Sequence, residues 1–205
     1  MTTPRARRRL ARRTTPDAVA VAPFTVLIDT REQLPWDFAG IKADAAQGGP
    51  AGGNLVVPVA GGTLGAGDYS IHGHGGRVAV ERKSLADLFG TIGQGRDRFE
   101  RELERLNGLE FAAVIVEAEL SEAKLNPPSY SQVQFKTVTR SAIAWQQRFK
   151  GVHWCWLPGR YAAMVWAYRV LERWWKDVAE VEERTAGKDP LPGEQAHLGD
   201  TNGTL

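Results

Sequence analysis

Twelve residues separate Asp68 from Glu81, and between them lies a glycine-rich tetrad flanked by β-prone runs. Gly67-Asp68-Tyr69-Ser70-Ile71 precedes Gly73-His74-Gly75-Gly76, and Arg77-Val78-Ala79-Val80-Glu81-Arg82-Lys83 follows it. Such a pattern reads as a β-hairpin. With the turn centred on residues 73–76, paired residue numbers sum to 149, and Asp68 faces Glu81. Directly opposed side chains have Cβ atoms roughly 4.5–5.5 Å apart, and like charges there repel. A divalent cation between the two carboxylates relieves that repulsion. Side chains alternate along a strand, so Lys83 shares the face of Glu81 while Arg82 points to the other. Two acids and a lysine therefore converge, a set suited to metal-assisted hydrolysis of a phosphodiester. Hard cations such as magnesium take oxygen ligands and keep several waters, so one or two carboxylates plus a substrate phosphate suffice. Lys83 is placed to orient the attacking water or to offset charge on phosphoryl oxygens.

The elements that must position these groups alternate. Thr25 to Ile28 reads as an apolar strand ending at Asp29, which puts that carboxylate at a strand terminus beside the hairpin and makes it a further candidate metal ligand. Leu55 to Ala60 reads as another strand, and Gly40 to Gly53 as a mobile loop. Ser84-Leu85-Ala86-Asp87 fits a capping box opening a helix, which explains Asp87 without a metal. A second helix is expected from Arg96 to Leu106, with Phe99, Leu103 and Leu106 at helical spacing and Arg96 near its phosphate-receptive N-terminus. Ala112 to Val116 reads as a buried central strand, ending at Glu117, for which a site role and a structural one are equally open. A helix follows from Ser131 to Lys150, whose first part carries Gln134, Lys136 and Arg140 as candidate DNA contacts. Strand Val152 to Leu157 and a last helix from Tyr161 to Glu182 complete the chain. This alternation predicts an α/β fold, a mixed sheet covered by helices on both faces.

The motifs also resemble a known family. Gly67-Asp68, Val80-Glu81-Arg82-Lys83 and Asp87 look like the G-D-xn-E-R-K-x3-D signature of the XPF-type structure-specific DNA endonucleases. Val26-Leu27-Ile28-Asp29-Thr30-Arg31-Glu32 resembles that family's opening strand with its D-x-R-E, and Ile92-Gly93-Gln94-Gly95-Arg96 through Leu106 its Gly-Arg segment and helix. The resemblance implies a restriction-endonuclease-like core, magnesium- or manganese-dependent cleavage of branched, flapped or forked DNA in repair or recombination, and a homodimer. Arg82 joins the catalytic set of Asp68, Glu81, Lys83 and Asp29, and Arg31, which either orders these acids or touches a phosphate, joins the substrate-binding set of Arg96, Lys136 and Arg140. Magnesium or manganese is then expected on Asp68, Glu81 and Asp29. Many members carry tandem helix-hairpin-helix motifs after the nuclease domain. The twenty or so residues after the last helix are too few for one, so a separate helicase or DNA-binding partner is an open expectation. Two alternatives stand beside this reading: a catalytically inert DNA-binding subunit, and a restriction-like or mobile-element nuclease that reads sequence.

Length and charge agree with one catalytic domain, residues 24–183, between an Arg-rich arm, 1–23, and a disordered tail, 184–205. The 205 residues carry a formal charge of +2, unevenly placed. The arm holds six arginines against one acid, and residues 186–205 one lysine against three acids, which leaves the stretch between them near −1. DNA affinity must therefore come from local patches or from the arm. The arm's composition also fits an organelle transit peptide. No stretch is apolar enough for a membrane span, no secretory signal is visible, and Cys155 is the only cysteine, so an intracellular location is expected. His72 and His74 flank a tight glycine turn, His153 sits before an aromatic strand, and the convergent groups are carboxylates, which makes zinc a poor candidate. The last helix is expected to be apolar on two sides, with Tyr161, Val165, Tyr168 and Trp175 on the sheet and Trp166, Val170 and Trp174 against a second copy.

Overall fold

The computed structural model describes residues 20–44 and 52–186. The arginines of the arm, residues 45–51 of the glycine-rich loop and residues 187–205 lie outside these residues, while residues 184–186, read as the start of the tail, continue the last helix. A six-stranded sheet is built from β2 (Val26–Asp29), β4 (Val59–Gly62), β5 (Tyr69–Ile71), β6 (Val78–Lys83), β7 (Phe111–Val116) and β8 (Val152–Trp156), in the order β4-β2-β5-β6-β7-β8. Strands β2 and β5, and β5 and β6, are antiparallel, whereas β4 runs parallel to β2, and β6, β7 and β8 run parallel to one another. This is the mixed α/β sheet expected.

Both faces are covered, and the strand alternation says by what. On β7, Ala113 and Ile115 join a cluster with Val78 and Val80 of β6, under Ala163, Ala167, Tyr168 and Leu171 of α5 (Gly159–Ala186). Ala112, Val114 and Val116 point the other way, with Ala79. They meet α1 (Leu85–Gly93), α2 (Arg96–Asn107) and α4 (Phe135–Arg148) through Leu88, Phe99, Leu103, Val138 and Trp145. Fully burying one large apolar side chain is worth roughly 1.5–3 kcal/mol, so two such clusters anchor the hairpin from both sides.

Several expected boundaries move for identifiable reasons. Leu55 to Ala60 is not one strand. Pro58 interrupts it, and β3 (Leu55–Val56) pairs with β1 (Ala20–Val21) in a separate two-stranded sheet while β4 joins β2. Residues 20–22, near the end of the stretch read as an arm, take part in this pairing, and Ala20 and Ala22 are buried. A short helix, α3 (Glu122–Leu125), was not expected. Helix α4 begins four residues later than its apolar pattern suggests, because Pro127 and Pro128 lead into an extended approach and Gln134, still extended, caps it.

The last helix differs most from expectation. Its sheet-facing side is Ala163, Met164, Ala167, Tyr168, Leu171 and Trp174, all buried, while Tyr161 is 58% exposed. Small residues let the helix lie close to the sheet. Trp174 turns inward, where His74 packs on its ring edge at 5.2 Å and the Arg77 guanidinium lies over it at 5.0 Å. Of the stripe expected to face outward, Trp166 alone is exposed, at 48%.

The first helix opens as read. The Asp87 N–H donates to Ser84 Oγ at 3.0 Å, and Ser84 Oγ donates to Asp87 Oδ2 at 2.6 Å. Replacing such a cap costs about 1 kcal/mol. Ser84→Ala is therefore expected to lower stability to denaturant by about that amount without changing how cleavage depends on metal, and equilibrium unfolding with a metal titration checks both.

Candidate active site

The hairpin has the register that its glycines imply. Tyr69 pairs with Val80, and the Asp68 N–H donates to the Val80 carbonyl at 2.9 Å. Gly67 makes the corner. Its φ is +74°, and a Cβ there would sit 3.0 Å from the Ala79 methyl and 3.1 Å from the Val80 carbonyl oxygen. Only glycine fits both the left-handed backbone and the close approach of β6.

Asp68, Glu81 and Lys83 come together at this end of the sheet. Lys83 Nζ bonds Glu81 Oε1 at 2.9 Å and lies 4.4 Å from the centre of the Phe99 ring. Asp68 accepts the Arg82 backbone N–H at 2.7 Å, and among the described residues no ion pair forms at this carboxylate. Burial and then the neighbouring Glu81 push the Asp68 carboxyl up to about 8. Burial likewise raises Glu81, against the pull of Lys83. Two acids thus resist losing their protons together unless a cation joins them.

The other acids are committed. Asp29 accepts the Arg31 N–H and Nε on Oδ1, at 2.7 and 2.8 Å, and Arg31 Nη2 and the Leu64 N–H on Oδ2, at 2.8 and 2.7 Å. The Arg31 hydrogen bond, above all, brings its carboxyl down to about 2. Direct metal ligation by Asp29 requires Arg31 to let go. Among the described residues, no three His, Cys, Asp or Glu side chains gather closely enough to hold a metal by themselves.

Arg82 faces away from Lys83, as alternation demands, into a buried network. It binds Glu117 through Nε and Nη2, both at 2.8 Å, and Glu32 through Nη1 at 3.3 Å. Glu117 also accepts from Trp36 Nε1 at 2.7 Å and Arg160 Nη1 at 3.2 Å. Burial alone would raise the Glu117 carboxyl, but Arg82, Trp36 and Arg160 together hold it below the usual range. The Arg82 guanidinium thus braces the strand whose N–H holds Asp68.

The candidate substrate residues are dispersed. Arg31 is 68% exposed at the rim. Arg96 stacks over Trp145 at 4.9 Å, hydrogen-bonds Ser141 and pairs with Glu100 at 3.3 Å, so it is tied into the helical layer. Lys136 and Arg140 are exposed on α4. Sequence reasoning missed Glu102, which accepts the Gly67 N–H at 2.7 Å from α2. It also missed Trp36 and Arg160 as partners of Glu117. Glu102 lies thirty-five residues from the glycine that it holds, a separation at which no local pattern gives a signal. Cys155 is half-buried and His153 stacks on Phe111 at 4.7 Å, both away from the acids.

A family model described as the ERCC4 domain matches residues 53–170, more than half of the chain. The chain belongs to the ERCC4-domain family, the family of the XPF-type nucleases. The matched stretch holds Asp68, Glu81, Arg82 and Lys83, while Asp29 and Arg31 precede it. Among solved structures the fold is similar to XPF from Aeropyrum pernix, with a TM-score of 0.52 and 19% identity over 78% of this chain and 69% of that one. No curated protein matches the sequence. Among the described residues no helix is long and apolar enough to cross a membrane.

The raised Asp68 carboxyl has a consequence for stability. Its folded value, about 8, exceeds the ordinary 3.8. Between those values the folded protein holds more protons than the unfolded chain, so stability falls as pH rises. In EDTA the melting temperature is expected to drop by several degrees between pH 5 and pH 9. Asp68→Asn should flatten most of that fall, which calorimetry across the range checks.

Proposed function

We propose that this ERCC4-domain nuclease is a metal-dependent DNA endonuclease that hydrolyses phosphodiester bonds in branched, flapped or forked DNA, in repair or recombination inside the cell. The observation that carries this reading is the convergence of Asp68, Glu81 and Lys83 within the matched family stretch, with Asp68 left without a cationic partner among the described residues. The donor set fits a hard divalent cation. Both groups are carboxylates, both are raised by burial, and among the described residues no sulfur or imidazole gathers with them to favour a softer metal. Asp68 and Glu81 would hold magnesium or manganese, with Asp29 joining only if Arg31 releases it. The ion supplies Lewis acidity toward the phosphoryl group and a more acidic water.

The chain's own groups do the remaining work. Lys83 fixes the Glu81 carboxylate and presents its ammonium to the side where phosphoryl charge grows. The Arg82 backbone N–H and the Gly67 corner hold Asp68 in place, so little reorganisation accompanies reaction. Arg31, anchored by Asp29, is placed at the rim to meet a phosphate, and Lys136 and Arg140 offer exposed charge on α4. Intact acids and lysine weigh against an inert binding subunit. The preference for branched DNA rests on the family resemblance.

Asp68→Asn, Glu81→Gln and Lys83→Ala are each expected to lower cleavage of a flapped duplex at least about 100-fold while leaving folding and DNA binding in place. EDTA should abolish cutting and manganese restore it. Gel assays on matched linear, flapped and forked substrates read both the chemistry and the structural preference. Wild-type-like cutting by any of the three variants would overturn the assignment.

Dimerisation through α5 is part of the same proposal. Trp166 and the partly buried Val170 line an open apolar groove with Phe111 and Trp174, edged by Arg169, Arg173 and Asp177. A two-fold axis lets such a groove meet itself. Trp166→Glu is expected to give folded monomers in analytical ultracentrifugation. A wild-type protein that sediments as a monomer at high concentration would exclude the interface.

A further inference from the structure

Helix α2 turns about 100° per residue, and its flanks are committed to different neighbours. Phe99, Leu103 and Leu106 are buried beneath it. Glu100 and Glu104 face α4, where Glu100 accepts from Trp145 Nε1 at 2.9 Å and pairs with Arg148 at 2.8 Å, and Glu104 pairs with Arg148 at 3.2 Å. On the opposite flank Glu102 reaches the Gly67 N–H, the residue beside Asp68. Arg98 and Arg105 lie four residues before and three after Glu102, so they share the flank that abuts the Asp68 corner. Arg101 sits one step further toward solvent.

These arginines are not equivalent. Arg105 pairs with Glu102. Arg98 and Arg101 are exposed, and among the described residues neither forms an ion pair. Arg31, exposed across the same corner, is close enough to Glu102 to feel its charge. Asp68, Glu81, Glu32 and Glu102 make the site itself repel a phosphate backbone, and the central body has no net positive charge to compensate. Positive charge close beside these acids would offset that repulsion along the rest of the strand.

We propose that Arg98, on the Gly67 flank of α2, and Arg101, on its adjoining solvent face, form a phosphate track that leads away from the site and holds backbone phosphates of the DNA strand next to the scissile bond. Each guanidinium presents an uncommitted fork of donors that matches phosphate oxygens bidentately. One helical turn separates them, so they address successive positions along a single strand. The track rests on the nuclease reading for its substrate, and not for its geometry.

The test uses the full chain and a fluorescently labelled flapped duplex. On an Asp68→Asn background, Arg98→Gln with Arg101→Gln is expected to weaken binding about tenfold at low salt. The slope of log affinity against log salt should become shallower by about 1.4 to 1.8, the loss of two phosphate contacts. In the cutting enzyme the same pair of changes should raise KM, with the loss falling on KM rather than kcat. Arg98→Lys with Arg101→Lys should restore most of the slope. Lys150→Gln, at the far end of the sheet, should leave slope and KM alone. An unchanged slope and KM, or a loss confined to kcat, overturns the track. If the unmodified protein binds with an arginine-dependent slope yet cuts no DNA, the nuclease reading fails and the track stands.

Discussion

Asp68 and Glu81 share one small volume at the end of a hairpin, and most of the polar contacts nearby make that proximity tolerable. A buried carboxylate without compensation is costly enough to take up a proton instead. Lys83 compensates Glu81, Arg31 compensates Asp29, and Arg82 is shared by Glu117 and Glu32. Each pairing offsets part of its acid's charge. Among the described residues, Asp68 alone of these acids is served only by a backbone N–H. The unbalanced charge is thereby concentrated at one carboxylate, where an added cation gains the most.

The sheet makes this separation of tasks possible. Consecutive residues of β6 point to opposite faces, so Glu81 and Lys83 enter the site while Arg82 enters the network with Glu117. The strand thus carries chemistry on one side and bracing on the other. Because β6 pairs with β7 over six residues, Glu117 comes directly after the last paired position, and its N–H donates to the Lys83 carbonyl at 2.9 Å. Trp36 reaches the same carboxylate from the loop after β2 and stacks on Tyr69 at 4.5 Å. The opening segment, the hairpin and the central strand are therefore tied at one acid that takes no part in the proposed chemistry.

What could be read in advance divides along the range of the interaction. The hairpin register followed from glycine placement and a period of two, and it fixed which acids meet. The Ser84 cap and the apolar strand of β7 were equally local. Pro58 was visible but underweighted, since a proline within a β-prone run marks an interruption. Other features depend on distant partners. The burial of Trp174 at the edge of its stripe comes from His74 and Arg77 packing on its ring, a contact that helical periodicity alone does not carry. The commitment of Asp29 to Arg31 was concealed for a different reason. A D-x-R spacing is compatible with both a metal ligand and a self-contained ion pair, and side-chain geometry separates them.

Gly67 shows how tightly the backbone and the charge are joined. Its left-handed corner lets the chain pass within van der Waals contact of Ala79 and Val80, and the next residue is the acid. Its N–H is held by Glu102, itself an acid close enough to raise Glu81. The corner is therefore fixed by a group whose charge adds to the repulsion in the site. This arrangement favours the site over the stability of the apo fold. An alanine at Glu102 would relieve the acids but release the corner, whereas a bound divalent cation relieves them and leaves the corner held. The two apolar clusters on either side of the sheet supply the stability that lets such a corner persist.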